Sequence, residues 1–204
     1  MTHPILKLLL VLLFFNISHA QGVFEIDRGK DKFNLPFQLV NDLVVIPVEI
    51  NGVELSFLLD TGVESSIIFS LEEEDSLSIK NATDILIRGW GEGESINAIK
   101  STGNVVRIGE ASHSDFTVYI VYDHQISLSN RLGLPVHGII GYDFFKDFVV
   151  DFNYIKKRLS VYRSDSYEYK RCRRCDDFDL VFNKNKPYIK VLVNIRGDKY
   201  IPMD

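Results

Sequence analysis

From Phe37 onward apolar and polar positions alternate with a period of two. Val44, Ile46, Val48 and Ile50 fall on one face, and Val45, Pro47 and Glu49 on the other. That pattern predicts a strand with both faces partly apolar. Asn51-Gly52 follows, a strong signal for a type I′ hairpin, whose two central residues both need positive φ. The return strand runs from Val53 to Leu59 and ends at Asp60. Further strands are expected over 67–69, 85–88, 96–100, 105–108, 116–122, 148–152 and 159–163. Turn chemistry separates them at Thr102-Gly103-Asn104, at Gly109-Glu110 and over 153–157. Only 71–77 and 142–147 read as helical, and both are short. Many short strands at this spacing predict an all-β barrel or sandwich.

The composition shifts after Arg163. Residues 164–177 are polar, charged and tyrosine-rich and read as a linker. The pattern then begins again. Leu180-Val181-Phe182, Pro187-Tyr188-Ile189, Val191, Val193, Ile195 and Arg196-Gly197 resemble Leu39-Val40, Leu43-Val44, Ile46, Val48, Ile50 and Asn51-Gly52. The same offset carried forward from Asp60 lands just past the last residue. The expectation is a lobe over 21–163 and the start of a second, incomplete lobe over 178–204, in a truncated or split two-lobed protein. The echo is short, and any two hairpins share part of this pattern.

The 204 residues suffice for one domain or one and a fraction. With 23 basic and 28 acidic residues the net charge is -5, and no basic stripe is visible, which argues against nucleic acid as a partner. Residues 1–20 read as a secretory signal peptide. An apolar stretch runs from Ile5 to Ile17, too short for a stable membrane span, and Ser18-His19-Ala20 sets small residues before Gln21. The expected product is exported, with periplasm, cell surface and medium all open. Asn81-Ala82-Thr83 fits a glycosylation sequon, relevant only in a eukaryotic secretory host. Cys172 and Cys175 are spaced C-x-x-C. A local disulfide or an incidental role fits better than zinc, because His113, His124 and His137 lack metal-like spacing. No cofactor and no metal are expected.

The chemistry rests on Asp60-Thr61-Gly62, placed directly after the apolar run Phe57-Leu58-Leu59. A carboxylate delivered by a strand into a glycine-containing turn suits acid–base work on a bound water. Two such carboxylates a few ångströms apart cannot both ionise, so the pair shares a proton; one member activates water and the other protonates the scissile carbonyl. Gly62 lets the backbone pass close to the carboxylate, and Thr61 offers a small hydroxyl. The plainer reading of the motif is an Asp capping a turn. About eighty residues on, Ile139-Ile140-Gly141 supplies a second apolar-apolar-Gly segment, equally compatible with a buried strand leading into a helix.

Taken together, these two segments resemble the retropepsin-like aspartic peptidases, in particular exported bacterial proteins with two such lobes. The similarity runs from about Leu35 to Arg163. It implies a closed β-barrel lobe with one short helix, a carboxylate dyad, a water nucleophile and no metal. Asp60, Thr61 and Gly62 then match the active-site loop, and Ile139, Ile140 and Gly141 its supporting element. The resemblance also implies a mobile flap, for which Gly89, Trp90 and Gly91 are the candidates, beside the plainer reading of a Gly-rich surface turn. Val63 stands where the family more often has Ala or Ser, and Glu64 adds a carboxylate. The chain contains one DTG, so a complete dyad calls for a second lobe or a homodimer partner, and peptide or protein is the implied substrate. The competing readings are a non-catalytic peptide-binding lobe and a structural β domain of the cell envelope.

Overall fold

The computed structural model describes residues 22–69, 77–88, 95–121, 128–194 and 200–203. The residues proposed as a leader therefore lie outside the described residues, as do Gly89, Trp90, Gly91 and most of the helix expected over 71–77. Among the described residues no helix is long and apolar enough to cross a membrane.

The fold is all-β, as the alternation implied. The first strands are β1 (Glu25–Ile26), β2 (Lys32–Pro36), β3 (Gln38–Val40), β4 (Leu43–Ile50) and β5 (Val53–Leu59). Next come β6 (Ile67–Ile68), β7 (Thr83–Arg88), β8 (Ser95–Ile108) and β9 (Ala111–Val121). A short helix α1 (Leu128–Leu132) precedes β10 (Gly138–Ile140), helix α2 (Tyr142–Phe145), β11 (Phe148–Asn153) and β12 (Arg158–Arg163). The pairings β9–β6–β10–β5–β4–β8 return through β8–β9 to their start, closing a barrel. Its interior holds Ile46, Phe57, Ile68, Val106, Ile120 and Ile140, each at most 1% exposed. Burying a side chain of this size contributes roughly 1.5–3 kcal/mol. A separate sheet, β11–β12–β2, packs its Phe33, Leu159 and Val161 against the same core.

The β4–β5 hairpin turns as expected, with Asn51 and Gly52 at φ of 50° and 88°. The expected reversal at Thr102-Gly103-Asn104 does not occur. The two strands assigned to 96–100 and 105–108 are one long strand, β8, with register shifts between Ser101 and Asn104 and between Asn104 and Val106. Gly103, at φ 74°, sits in this irregularity as an extra residue rather than a turn. Buried Asn104 stabilises it. Its amide donates to Ser101 Oγ at 2.9 Å and to the Phe116 carbonyl at 3.2 Å, while its oxygen accepts from Asn51 Nδ2 at 2.8 Å.

Strand β2 precedes Phe37, where the expected strands begin. The strand lies opposite β12 with Phe33 and Leu35 inward, and Pro36 falls at its end, where a missing donor does least harm. Helix α1 was not expected either, whereas α2 falls within the helix expected over 142–147.

Residues 164–177 contain no strand or helix and are exposed throughout. Local contacts still shape them. The Arg163 guanidinium grips Asp165 through Nε and Nη2, and Tyr169 Oη donates to Asp177 Oδ1 at 2.6 Å. Cys172 and Cys175 form a disulfide. Beyond them β13 (Val181–Asn183) and β14 (Lys186–Tyr188) form a hairpin, and β15 (Val191–Asn194) pairs with β16 (Tyr200–Met203). Two successive hairpins, β3–β4 and β4–β5, also occur in the barrel sheet. Lys184 and Asn185 take positive φ as Asn41 and Asp42 do in the first of those turns.

Candidate active site

Asp60 leaves the end of β5 in a tight loop. Its backbone N–H donates to the Ile140 carbonyl at 3.0 Å, and its own carbonyl accepts from the Val63 N–H at 3.3 Å. The Gly62 N–H donates to Asp60 Oδ1 at 2.8 Å, which orients the carboxylate over the turn. Asp60 is half-buried, whereas Thr61, Gly62 and Glu64 are exposed. Among the described residues no second carboxylate meets Asp60.

Strand β10 runs parallel to β5, with Gly138, Ile139 and Ile140 beside Phe57, Leu58 and Leu59. A parallel pair of this kind brings the residues after each strand to the same end of the barrel. Gly141 follows Ile140 as Asp60 follows Leu59. A Cβ on Gly141 would stand 2.3 Å from the Asp60 carbonyl oxygen and 2.4 Å from that of Val63. Only glycine lets the two loops approach so closely. The Tyr142 N–H then donates to the Val63 carbonyl at 2.9 Å, tying the start of α2 to the loop. That contact uses the backbone of Val63, so a residue larger than Ala or Ser is accommodated there.

A further tie was not read from the sequence. Asp143 Oδ2 accepts from both the backbone N–H and the hydroxyl of Ser66, each at 3.0 Å. Ser66 is fully buried. The bond joins α2 to the exit from the Asp60 loop across 77 positions, and no local spacing rule relates two residues that far apart. The structure thus brings Asp60, Thr61 and Gly62 together with Ile139, Ile140 and Gly141. The strands flanking Gly89, Trp90 and Gly91 pair as far as Arg88 opposite Ser95.

Beside Asp60 lies an open groove of about 350 Å³. Leu43, Leu58, Phe145, Phe152 and Tyr154 form its apolar wall, with Asp60 and Thr61 at its edge. Phe152 stacks on Phe145 and on Tyr154, with centroids 6.2 and 6.0 Å apart. This row is incompletely covered: Tyr154 is 54% and the adjoining Ile155 97% exposed. At the start of α2 the Phe182 ring meets Tyr142 edge-on. Among the described residues no three His, Cys, Asp or Glu side chains group in a way that would hold a metal ion.

Residues 46–144 match a family model described as aspartyl protease. Among solved structures, a similar chain is a retropepsin-like aspartic protease from Rickettsia conorii, 16% identical with a TM-score of 0.46; the likeness covers 69% of this chain and 94% of that one. No curated protein matches the sequence.

Proposed function

We propose, for a chain whose residues 46–144 match a family model described as aspartyl protease, that it is one half of an aspartic endopeptidase with Asp60 as its catalytic carboxylate. The observation that carries this reading is the half-buried Asp60 in a loop held by β10 and Gly141, at the edge of an apolar groove. The second carboxylate comes from another DTG-bearing half, either a further lobe or a second copy. The uncovered aromatic row of Phe145, Phe152 and Tyr154 is where that half would seat. Once the two acids face each other, one proton is shared between them. The ionised acid takes a proton from a bound water, which attacks the scissile carbonyl, and the protonated acid donates to that carbonyl oxygen. The Gly62 N–H, already bonded to Asp60 Oδ1, holds the carboxylate in place for this exchange. The product is further proposed to be exported after removal of residues 1–20. N-terminal sequencing of exported protein should begin at Gln21.

A peptide-cleavage assay at mildly acidic pH tests the reading. Specific activity of the purified chain should rise with its concentration, or on addition of a separate DTG-bearing lobe. Asp60→Asn should abolish it and, in excess, suppress the unsubstituted chain. Hydrolysis that survives Asp60→Asn refutes the role of this residue. Full activity in dilute monomer refutes the two-half arrangement. Tight binding of peptide without cleavage under every condition would instead favour a non-catalytic peptide-binding lobe.

A further inference from the structure

Away from the groove, residues 164–177 join the barrel to the later hairpins. Lys170, Arg171, Arg173 and Arg174 place four cations within five positions, all exposed. Exposed segments without regular structure are the usual sites of proteolytic nicking. Here, however, Arg173 and Arg174 are the two residues enclosed by the Cys172–Cys175 disulfide. The Cα atoms of the two cysteines are 5.4 Å apart, the separation of a reverse turn. The same three peptide steps, fully extended, span about 10 Å. A bound peptide segment is commonly held as an extended strand, through its main-chain hydrogen bonds. The closed ring forbids that conformation at Arg173 and Arg174. It also bends the residues that would follow a cut after Lys170 or Arg171. The Tyr169–Asp177 hydrogen bond closes the same loop from outside.

We propose that this ring is a redox-gated cleavage site for a peptidase specific for arginine or lysine. With the disulfide intact the Arg-Arg step is held in a turn and resists hydrolysis. A dithiol reductant transfers two electrons and two protons to the disulfide. Cys172 and Cys175 become free thiols and the dithiol becomes a disulfide. The segment can then extend, and water adds across the peptide bond after Arg173 or Arg174, leaving a carboxylate and an amine. The cut separates the barrel from the β13–β14 hairpin, whose Phe182 packs on Tyr142 beside the Asp60 loop. The site thus controls a contact of the active-site region through a bond remote from it. Any cut made inside the ring while it is oxidised would leave the two pieces joined by the disulfide.

Limited digestion of the full chain with trypsin tests this, followed by intact-mass analysis with and without reduction of the quenched sample. Pretreatment with dithiothreitol should speed the appearance of fragments ending at Arg173 or Arg174 by about twentyfold, the factor expected from releasing a four-residue loop. Cys172→Ser with Cys175→Ser should give the fast rate without reductant. Arg173→Gln with Arg174→Gln should remove those fragments while cleavage at unrelated sites continues. Equal rates in oxidised and reduced chain, or rapid cutting inside the intact ring, would overturn the proposal.

Discussion

Replacing Gly141 by Ala is the sharpest probe of how the site is held. The added methyl carbon would stand 2.3 Å from the Asp60 carbonyl oxygen and 2.4 Å from that of Val63. Both distances are roughly 1 Å inside ordinary contact. The obstructing atoms are backbone, so no side-chain rotation relieves them. The two loops must separate, at a cost of about 1–3 kcal/mol for overpacking. Separation also weakens the Asp60 N–H to Ile140 and Tyr142 N–H to Val63 hydrogen bonds, at about 1 kcal/mol each. The total is about 3–5 kcal/mol, a large share of the roughly 5–15 kcal/mol that stabilises a typical protein. For a chain of this size that corresponds to a fall in Tm of about 10 °C. Gly62→Ala is the matched control. Its nearest obstruction is the Asp60 carboxylate oxygen at 3.2 Å, the end of a side chain, so thermal stability should change little. Thermal melts of the two variants decide the matter. If Gly141→Ala melts within 2 °C of the parent, the close approach of the two loops is not what holds the site.

Two further perturbations test its supports. Asp143→Ala leaves the buried Ser66 N–H and hydroxyl without their acceptor and should cost about 2–3 kcal/mol in urea denaturation, whereas Asp143→Asn keeps an acceptor oxygen and should lose less; equal losses would show that the tie is unimportant. Buried His113 accepts the Asp115 N–H on Nδ1 at 3.2 Å, and burial holds its pKa below the usual value; the nearby Lys146 lowers it further, while the Gly22 carbonyl, Asp147 and Asp115 oppose the shift. The folded state therefore takes up a proton less readily than the unfolded chain, so this contribution is complete above a pH of about 6.5 and declines as the pH falls towards the folded-state pKa. His113→Gln should reduce the loss of stability between about pH 7 and pH 5, and an unchanged pH slope would remove His113 as its source.

The barrel was legible where one rule acted locally. Alternation marked β4 and β5, and Asn51-Gly52 set their turn and register. The same local rules failed at Gly103. Glycine followed by Asn signals a reversal in most contexts, but here buried Asn104 bonds to Ser101, Phe116 and Asn51 and the strand runs on through an irregularity. They did not reach β2, a strand whose partner among the described residues, β12, lies more than a hundred residues away. Such pairing depends on the burial of Phe33 and Leu35 against distant residues, which no window of sequence records.

By itself the sequence determined that an apolar strand would end at Asp60 and that a second such segment would end at Gly141, because each depends only on neighbouring residues. That β5 and β10 lie parallel, that Gly141 abuts the carbonyls of the Asp60 loop, and that Asp143 secures Ser66 were decided by closure of the barrel. Closure joins positions some eighty residues apart, and only the packed interior selects which of them meet.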